Sequence, residues 1–358
     1  MVFYIIVLLL LTLLAVFKTR QNASPYNTEM VNNKDNIHLW IGMLSIFFLM
    51  ALKQPITGDY SRYATHFMTI MYKSLKGQSF LLSEPGFFYF NRFLRSLTDN
   101  SGYFFAMTAG IICFCVGRFI LKNADNKRFA VFFYYTIGLF AFSMAGLRQT
   151  LAMSICLFAY SAMKRRKFLQ FAVIIAIAFL FHRSAIFFLP AYFIANIKWK
   201  FHTIFGVISL YSVIFLFFDR IYEYIVGWLD YDYGIESTGN GGIFLIILVI
   251  ISVLTLIYRG KLLELDPNNI IFINLHFTVL ALWIFRLFTR TVERPSYYYL
   301  YASIILLDKI LSIKLERDKD IITRKILVLA SLVFFGLFFM YRLFRNGNLL
   351  PYILYKIS

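Results

Sequence analysis

Apolar residues in this chain fall in long runs, parted by short segments rich in Lys and Arg. A helix needs about 17–25 mostly apolar residues to cross a hydrocarbon core of ~30 Å. Twelve stretches approach that pattern: 2–17, 37–52, 102–121, 129–145, 148–163, 168–181, 184–197, 201–218, 242–258, 270–289, 296–313 and 326–343. The pattern predicts an all-α, polytopic membrane protein of about twelve spans, with residues 1–358 as a single transmembrane domain. No basic residue precedes the first run, Lys18 and Arg20 follow it, and a small-residue cleavage site is lacking. It therefore reads as an uncleaved first span with its N-terminus outside.

Two stretches do not divide evenly. Residues 168–197 are nearly continuous apolar sequence interrupted at His182-Arg183. As one helix they would run about 45 Å, too long for the membrane core. As two full spans they are too short. The stretch 129–163 has the same difficulty around Arg148. A short hairpin at each place puts Lys122/Lys127/Arg128, Lys164-Arg165-Arg166-Lys167 and Lys198/Lys200 on one side. The hairpin tips, with Arg148 and His182-Arg183, then lie below the opposite surface.

Composition agrees with a membrane protein. Sixty per cent of the 358 residues are apolar and 15% are charged, against about half and a quarter in soluble domains. So apolar a chain cannot stay solvated as a disordered one. Three cysteines, all in apolar runs, do not make a secreted disulfide framework. Cys113 and Cys115 point different ways on a helix and, with Cys156, fit small core positions better than a metal site.

The net charge of +18 would point to nucleic acid in a soluble protein, but membrane proteins concentrate Lys and Arg in inner loops. Twelve spans place both termini outside, with 21 basic residues inside (13 Lys, 8 Arg) and 15 outside (11 Arg, 4 Lys). The orientation follows from placing positive charge inside, so the total is no independent support for it. The arginine bias of the outer set is independent of that choice.

Two loops fall outside. Residues 53–101 contain Gly58-Asp59-Tyr60, then Arg62-Tyr63 opening an apolar-periodic stretch (Tyr63, Phe67, Ile70, Met71). Ser83-Glu84-Pro85-Gly86 then predicts the start of a second short helix. Phe87, Phe90, Leu94 and Leu97 follow helical spacing, with Arg92 and Arg95 opposite. Such amphipathic helices anchor a loop at the membrane surface, which leaves Asp59, Arg62 and Glu84 without a structural reason. The second loop, 219–241, is acidic and ends in Gly239-Asn240-Gly241-Gly242. It lacks the spacing of a calcium loop and reads as a solvated connector.

Arg148-Gln149 and His182-Arg183 mark the hairpin tips, and Arg286, Arg290 and Arg294 are spaced to stack on one helix face. Charge within a membrane is costly and usually faces a cavity. Arginines converging at one level repel one another unless a polyanion joins them, and the guanidinium fork suits phosphate. Snorkelling to lipid headgroups is the alternative, but hairpin tips reach the surface poorly. His182 beside Arg183 is biased toward the neutral form and would act as base or donor. No phosphate loop, dinucleotide fingerprint, zinc motif or nucleophile elbow is present, so neither a cofactor nor a metal is indicated.

Gly58-Asp59-Tyr60 with Tyr63, Glu84-Pro85-Gly86-Phe87, Arg148-Gln149 before Leu151-Ala152, and His182-Arg183-Ser184-Ala185 occur in that order. In this the chain resembles the EpsG family, bacterial multispanning proteins grouped with Wzy-type polysaccharide polymerases. The resemblance runs from about residue 50 to 190, and the C-terminal arginines and Pro351-Tyr352 also fit it. It implies a GT-C-like glycosyltransferase of the bacterial cytoplasmic (inner) membrane, with its active site facing the periplasm. Such an enzyme takes undecaprenyl-pyrophosphate-linked oligosaccharides and joins the repeat units of an O-antigen, capsule or exopolysaccharide, without a nucleotide sugar. Arg148, Gln149, Arg183, Arg286, Arg290, Arg294 and Arg62 would hold the pyrophosphate. Asp59, Glu84 or His182 would take the acceptor's proton. Membrane lipids and a chain-length regulator protein are the expected partners, and nucleic acid is not. A lipid-linked oligosaccharide flippase and an O-antigen ligase-type glycosyltransferase are the alternatives. A flippase would show related halves and a central charged cavity, and no internal repeat is found here.

Overall fold

The computed structural model describes the chain except for residues 17–27, 57, 73–83, 218–219, 221–222, 225–226, 228–240, 314–317, 346–348 and 356–358. The described residues are almost entirely helical, and an isolated antiparallel bridge, Lys53 with Leu354, is the extended pairing among them. Most of the acidic loop 219–241 lies outside the described residues.

The first five helices are α1 (Val2–Val16), α2 (Thr28–Ala51), α3 (Gly58–Thr69), α4 (Pro85–Leu97) and α5 (Ser101–Asn123). The first predicted hairpin is built from four short pieces: α6 (Lys127–Thr136), α7 (Leu139–Ser143), α8 (Leu147–Cys156) and α9 (Ala159–Lys164). The second consists of α10 (Phe168–Phe181), a 3-10 segment (Arg183–Phe188) and α11 (Ala191–Ala195). After α12 (Phe201–Leu216) come α13 (Gly242–Leu265), α14 (Asn269–Phe285), a 3-10 turn (Arg290–Val292), α15 (Glu293–Ser312) and α16 (Asp318–Arg345).

Burial divides these helices into an inner and an outer set. Every residue of α6 is buried, as is every residue of α15 from Pro295 to Leu311. Helices buried all round form the centre of a bundle. Around them, α1, α13 and α16 each turn an exposed apolar stripe outward, for example Leu9 and Leu13, Ile246 and Ile250, Leu329 and Val333. An apolar surface of that extent is satisfied by lipid.

Of the twelve stretches expected from the sequence, the described residues form some as clear spans and others as shorter apolar helices. Three helices are long and apolar enough to cross a membrane: Ser101–Asn123, Gly242–Leu265 and Ile322–Arg345. Val2–Val16, Phe168–Phe181, Arg183–Ala195, Phe201–Ile214 and Asn269–Phe285 are apolar but shorter. The stretches 129–145 and 148–163 are each broken, and 184–197 is a 3-10 segment followed by one short helix. The break between α6 and α7 is made by Gly138, whose φ of 123° belongs to a region that side-chain-bearing residues avoid. The Arg342 guanidinium sits beside it and donates to the Ile137 carbonyl at 3.3 Å. At fourteen residues, α10 is about 21 Å long, shorter than a full span, and ends at His182.

The C-terminal tail returns to the loop after α2. Gln54 N–H donates to the Ile353 carbonyl, and Tyr355 N–H to the Leu52 carbonyl, both at 2.8 Å. The Tyr352 hydroxyl donates to the Leu49 carbonyl at 3.2 Å. At the far end of the bundle the buried Asp308 carboxylate accepts the N–H groups of Asp125 (2.7 Å) and Asn126 (2.9 Å), fixing the turn into α6.

Candidate functional site

Glu84 begins α4. It occupies the N-cap position with φ 55° and ψ 57°, a left-handed conformation, and Pro85 supplies the pre-set first helical residue. A non-glycine residue held there is strained, by of order 1–3 kcal/mol, and such residues concentrate at functional sites. Gly86 lets α4 come close to α10: a Cβ at this position would lie 2.9 Å from the Leu180 carbonyl oxygen. The approach brings the Glu84 carboxylate, itself buried, against the tips of both broken hairpins.

One carboxylate oxygen of Glu84 lies 2.7 Å from Arg148 Nη1, in the first turn of α8. The other is 3.4 Å from the Arg183 N–H and 3.7 Å from His182 Nδ1. The Arg148 guanidinium also stands 5.8 Å over the Phe87 ring. Its side chain remains 42% exposed, whereas its carboxylate partner is buried.

His182 ends α10 and caps the following 3-10 segment. Its Nδ1 accepts the Ser184 N–H at 3.1 Å and sits 2.9 Å from the Ser184 hydroxyl, which in turn is 2.9 Å from the Tyr298 hydroxyl. With Nδ1 occupied as an acceptor, the proton of the neutral ring is on Nε2. The contact with Glu84 is therefore an electrostatic neighbour rather than a proton-sharing pair. Arg148, Arg294 and Arg183 all act on the His182 ring. Three of the five arginines expected to converge do so around this histidine.

The others are arranged differently. Helix α14 ends at Phe285, Arg286 caps it, and Thr289 is extended before Arg290 opens a 3-10 turn. Arg286, Arg290 and Arg294 consequently do not stack on one helix face, as their spacing had implied. Arg286 is buried and lies 3.3 Å from Glu293, whose other oxygen accepts from the Tyr297 hydroxyl at 2.6 Å. Arg342 also acts on Tyr297, which makes a second charged cluster that the sequence reading missed; its one signal was an arginine inside an apolar helix. Arg290 is exposed. Gln149 does not face a ligand with its amide nitrogen: Nε2 donates to the Arg294 carbonyl at 2.7 Å, tying α8 to the start of α15. Its Oε1 is buried with no hydrogen-bond partner among the described residues.

Asp59 and Arg62 pair with each other on α3 at 3.7 Å, Arg62 exposed and Asp59 half-exposed. They touch the Glu84 cluster indirectly, because Tyr63 is within electrostatic reach of both Asp59 and Arg148. On α4 the apolar face departs from the spacing: Phe87, Phe88 and Leu94 are buried, Phe90 is half-buried and Leu97 is 67% exposed. On α3 and the turn after it Phe67 and Ile70 are buried and Met71 is exposed.

A bundle of broken and apolar helices, with a buried Glu84 paired to a part-exposed Arg148 beside His182 at one end, is that of a multi-pass helical membrane protein. The chain matches the EpsG family over residues 36–354 and belongs to it. It is thereby a polysaccharide-polymerase-like membrane protein. Neither the curated proteins nor the solved structures give a match.

Proposed function

We propose that this protein joins lipid-pyrophosphate-linked oligosaccharide repeat units into a polysaccharide, by glycosyl transfer at the outer face of the bacterial cytoplasmic membrane. The broken segments 129–163 and 168–197 would then enter from the inner side as hairpins, within an arrangement of about twelve membrane segments. The observation that carries the reading is the strained, buried Glu84 paired with Arg148 and set beside His182.

The pair gives the chemistry a sequence. Without substrate, Glu84 neutralises Arg148. When the donor binds, its undecaprenyl pyrophosphate takes Arg148 together with Arg183 and Arg294, and Glu84 is left as an unpaired carboxylate. The acceptor sugar hydroxyl gives its proton to Glu84 while its oxygen attacks the anomeric carbon of the donor. The bond from that carbon to the pyrophosphate oxygen breaks, and its electron pair leaves with the pyrophosphate. Guanidinium charge placed in advance stabilises the leaving group, and losing one such donor costs about 10²–10³ in rate. His182, neutral and held through Nδ1, would line the site beside the leaving pyrophosphate. Asp59 is the next candidate for the base. Arg286 and Arg290 extend the positive field, with Arg62 at its edge. A chain-length regulator would act as partner.

Arg148→Ala, accumulated to the normal level in the source strain, is expected to abolish long-chain product. Unchanged long-chain product would remove the pyrophosphate assignment.

A further inference from the structure

At the opposite end of the bundle, a cavity of about 230 Å³ opens between α5 and the α8–α9 pair. Arg148 and Lys164 stand sixteen residues apart on that pair, or about 24 Å along a helix, so this cavity is separate from the Glu84 site. Three cations line it: Arg118 and Lys122, one helical turn apart on α5, and Lys164. No carboxylate among the described residues lines it. The acids that act on Lys164 are Asp266 and Asp125, and Asp125 is itself held by Lys309 at 2.9 Å. Lys164 Nζ donates to Asn123 Oδ1 at 2.8 Å. Tyr160, 1% exposed, lines the same cavity, and its hydroxyl has no hydrogen-bond partner among the described residues.

Three like charges around one space, with an unused buried donor, fit an anion with several acceptor oxygens. The cavity is smaller than the roughly 300–1,000 Å³ of sites that enclose whole ligands. A space of that size admits a headgroup rather than a whole lipid. The surface beside it is apolar: Phe114 is 54% exposed and Phe158 40%, with Arg118 5.8 Å over the Phe158 ring. We infer that this cavity binds the phosphate of a membrane lipid, whose chain lies along Phe114 and Phe158.

Two lipids present that phosphate, an acidic phospholipid and a polyprenyl phosphate, and binding separates them. The full chain, purified and delipidated in nonionic detergent, would be titrated with phosphatidylglycerol, undecaprenyl phosphate, phosphatidylcholine or inorganic phosphate, and the adducts read by native mass spectrometry. Either of the first two should be retained, and the one retained names the source. The double variant Arg118→Gln/Lys122→Gln should retain it about thirty-fold less, from the usual contribution of a basic residue near an anionic headgroup. Lys122 is exposed, so Lys122→Gln alone serves if the double variant does not accumulate, with a several-fold loss expected. Equal retention by wild type and variant overturns the inference. So does phosphatidylcholine binding as tightly as phosphatidylglycerol, or inorganic phosphate displacing lipid at equal concentration.

Discussion

The carboxylate of Glu84 and the guanidinium of Arg148 meet at 2.7 Å although 64 residues separate them in sequence. One stands at the start of α4 and the other in the first turn of α8, and the contact closes a ring that includes the His182-Arg183 turn. A buried carboxylate is stable as an anion only while a cation or several donors hold it. A site in which ligand and carboxylate compete for one arginine is thus ready to exchange partners.

Glu84→Gln keeps the shape of the side chain and one hydrogen-bond acceptor while removing the charge. If Glu84 takes the acceptor's proton, polymer formation by isolated membranes should fall by about 10²–10⁴-fold, with the protein at its normal level. A variant within a few-fold of wild type would move the base to Asp59.

Arg148 tests the geometry of the anion site. A lysine carries the charge but not the planar fork, so it replaces arginine poorly where two oxygens are bound together. Both Arg148→Lys and Arg148→Ala should lose about 10²–10³ in rate. Full activity in the lysine variant would mean that charge alone suffices there.

Gly86 is tested through packing. In Gly86→Ala the new methyl would meet the Leu180 carbonyl at 2.9 Å, so α4 must move away from α10. Destabilisation of about 1–3 kcal/mol is expected for such overpacking, read as a lower melting temperature of the purified protein. Activity should fall further than stability, since Glu84 shifts with the helix. Gly110→Ala is the control: the nearest atom there is a Phe47 ring carbon at 3.8 Å, and both readings should stay near wild type.

Lys53 supplies a pH dependence. It is buried in the loop after α2, with Nζ 5.3 Å over the Tyr60 ring, and burial lowers its ammonium to about 8. In the unfolded chain the group titrates near its ordinary value of about 10.4. Between these values the unfolded state binds more protons, so stability rises with pH across that window. The melting temperature in detergent should therefore gain more from about pH 7.5 to about pH 9.5 in wild type than in Lys53→Met. Equal gains would show that Lys53 ionises alike in both states.

Much of this architecture was legible because charge interrupts the apolar runs. Arg148 and His182-Arg183 interrupt stretches of the wrong length for one span or two; the structure breaks the first just before Arg148 and also at Gly138, and the second at His182. Glu84-Pro85 marked the start of α4 for the same local reason. The Arg286–Arg294 segment was misread, since its spacing continues a helix that ends at Phe285. Pro295 carried the missing signal: proline is tolerated in a first turn, and it sits in the first turn of α15. The Glu84–Arg148 and Gln149–Arg294 contacts depend on how distant helices pack, which no local pattern encodes.

The most direct test of the central claim is a gel of surface polysaccharide from the source strain with this gene deleted, beside the complemented strain. The account predicts that the long-chain ladder disappears while single repeat units still reach the final acceptor, and that complementation restores the ladder. Absence of repeat units at the surface would contradict it in favour of a flippase, and a ladder held on the undecaprenyl carrier would contradict it in favour of a ligase.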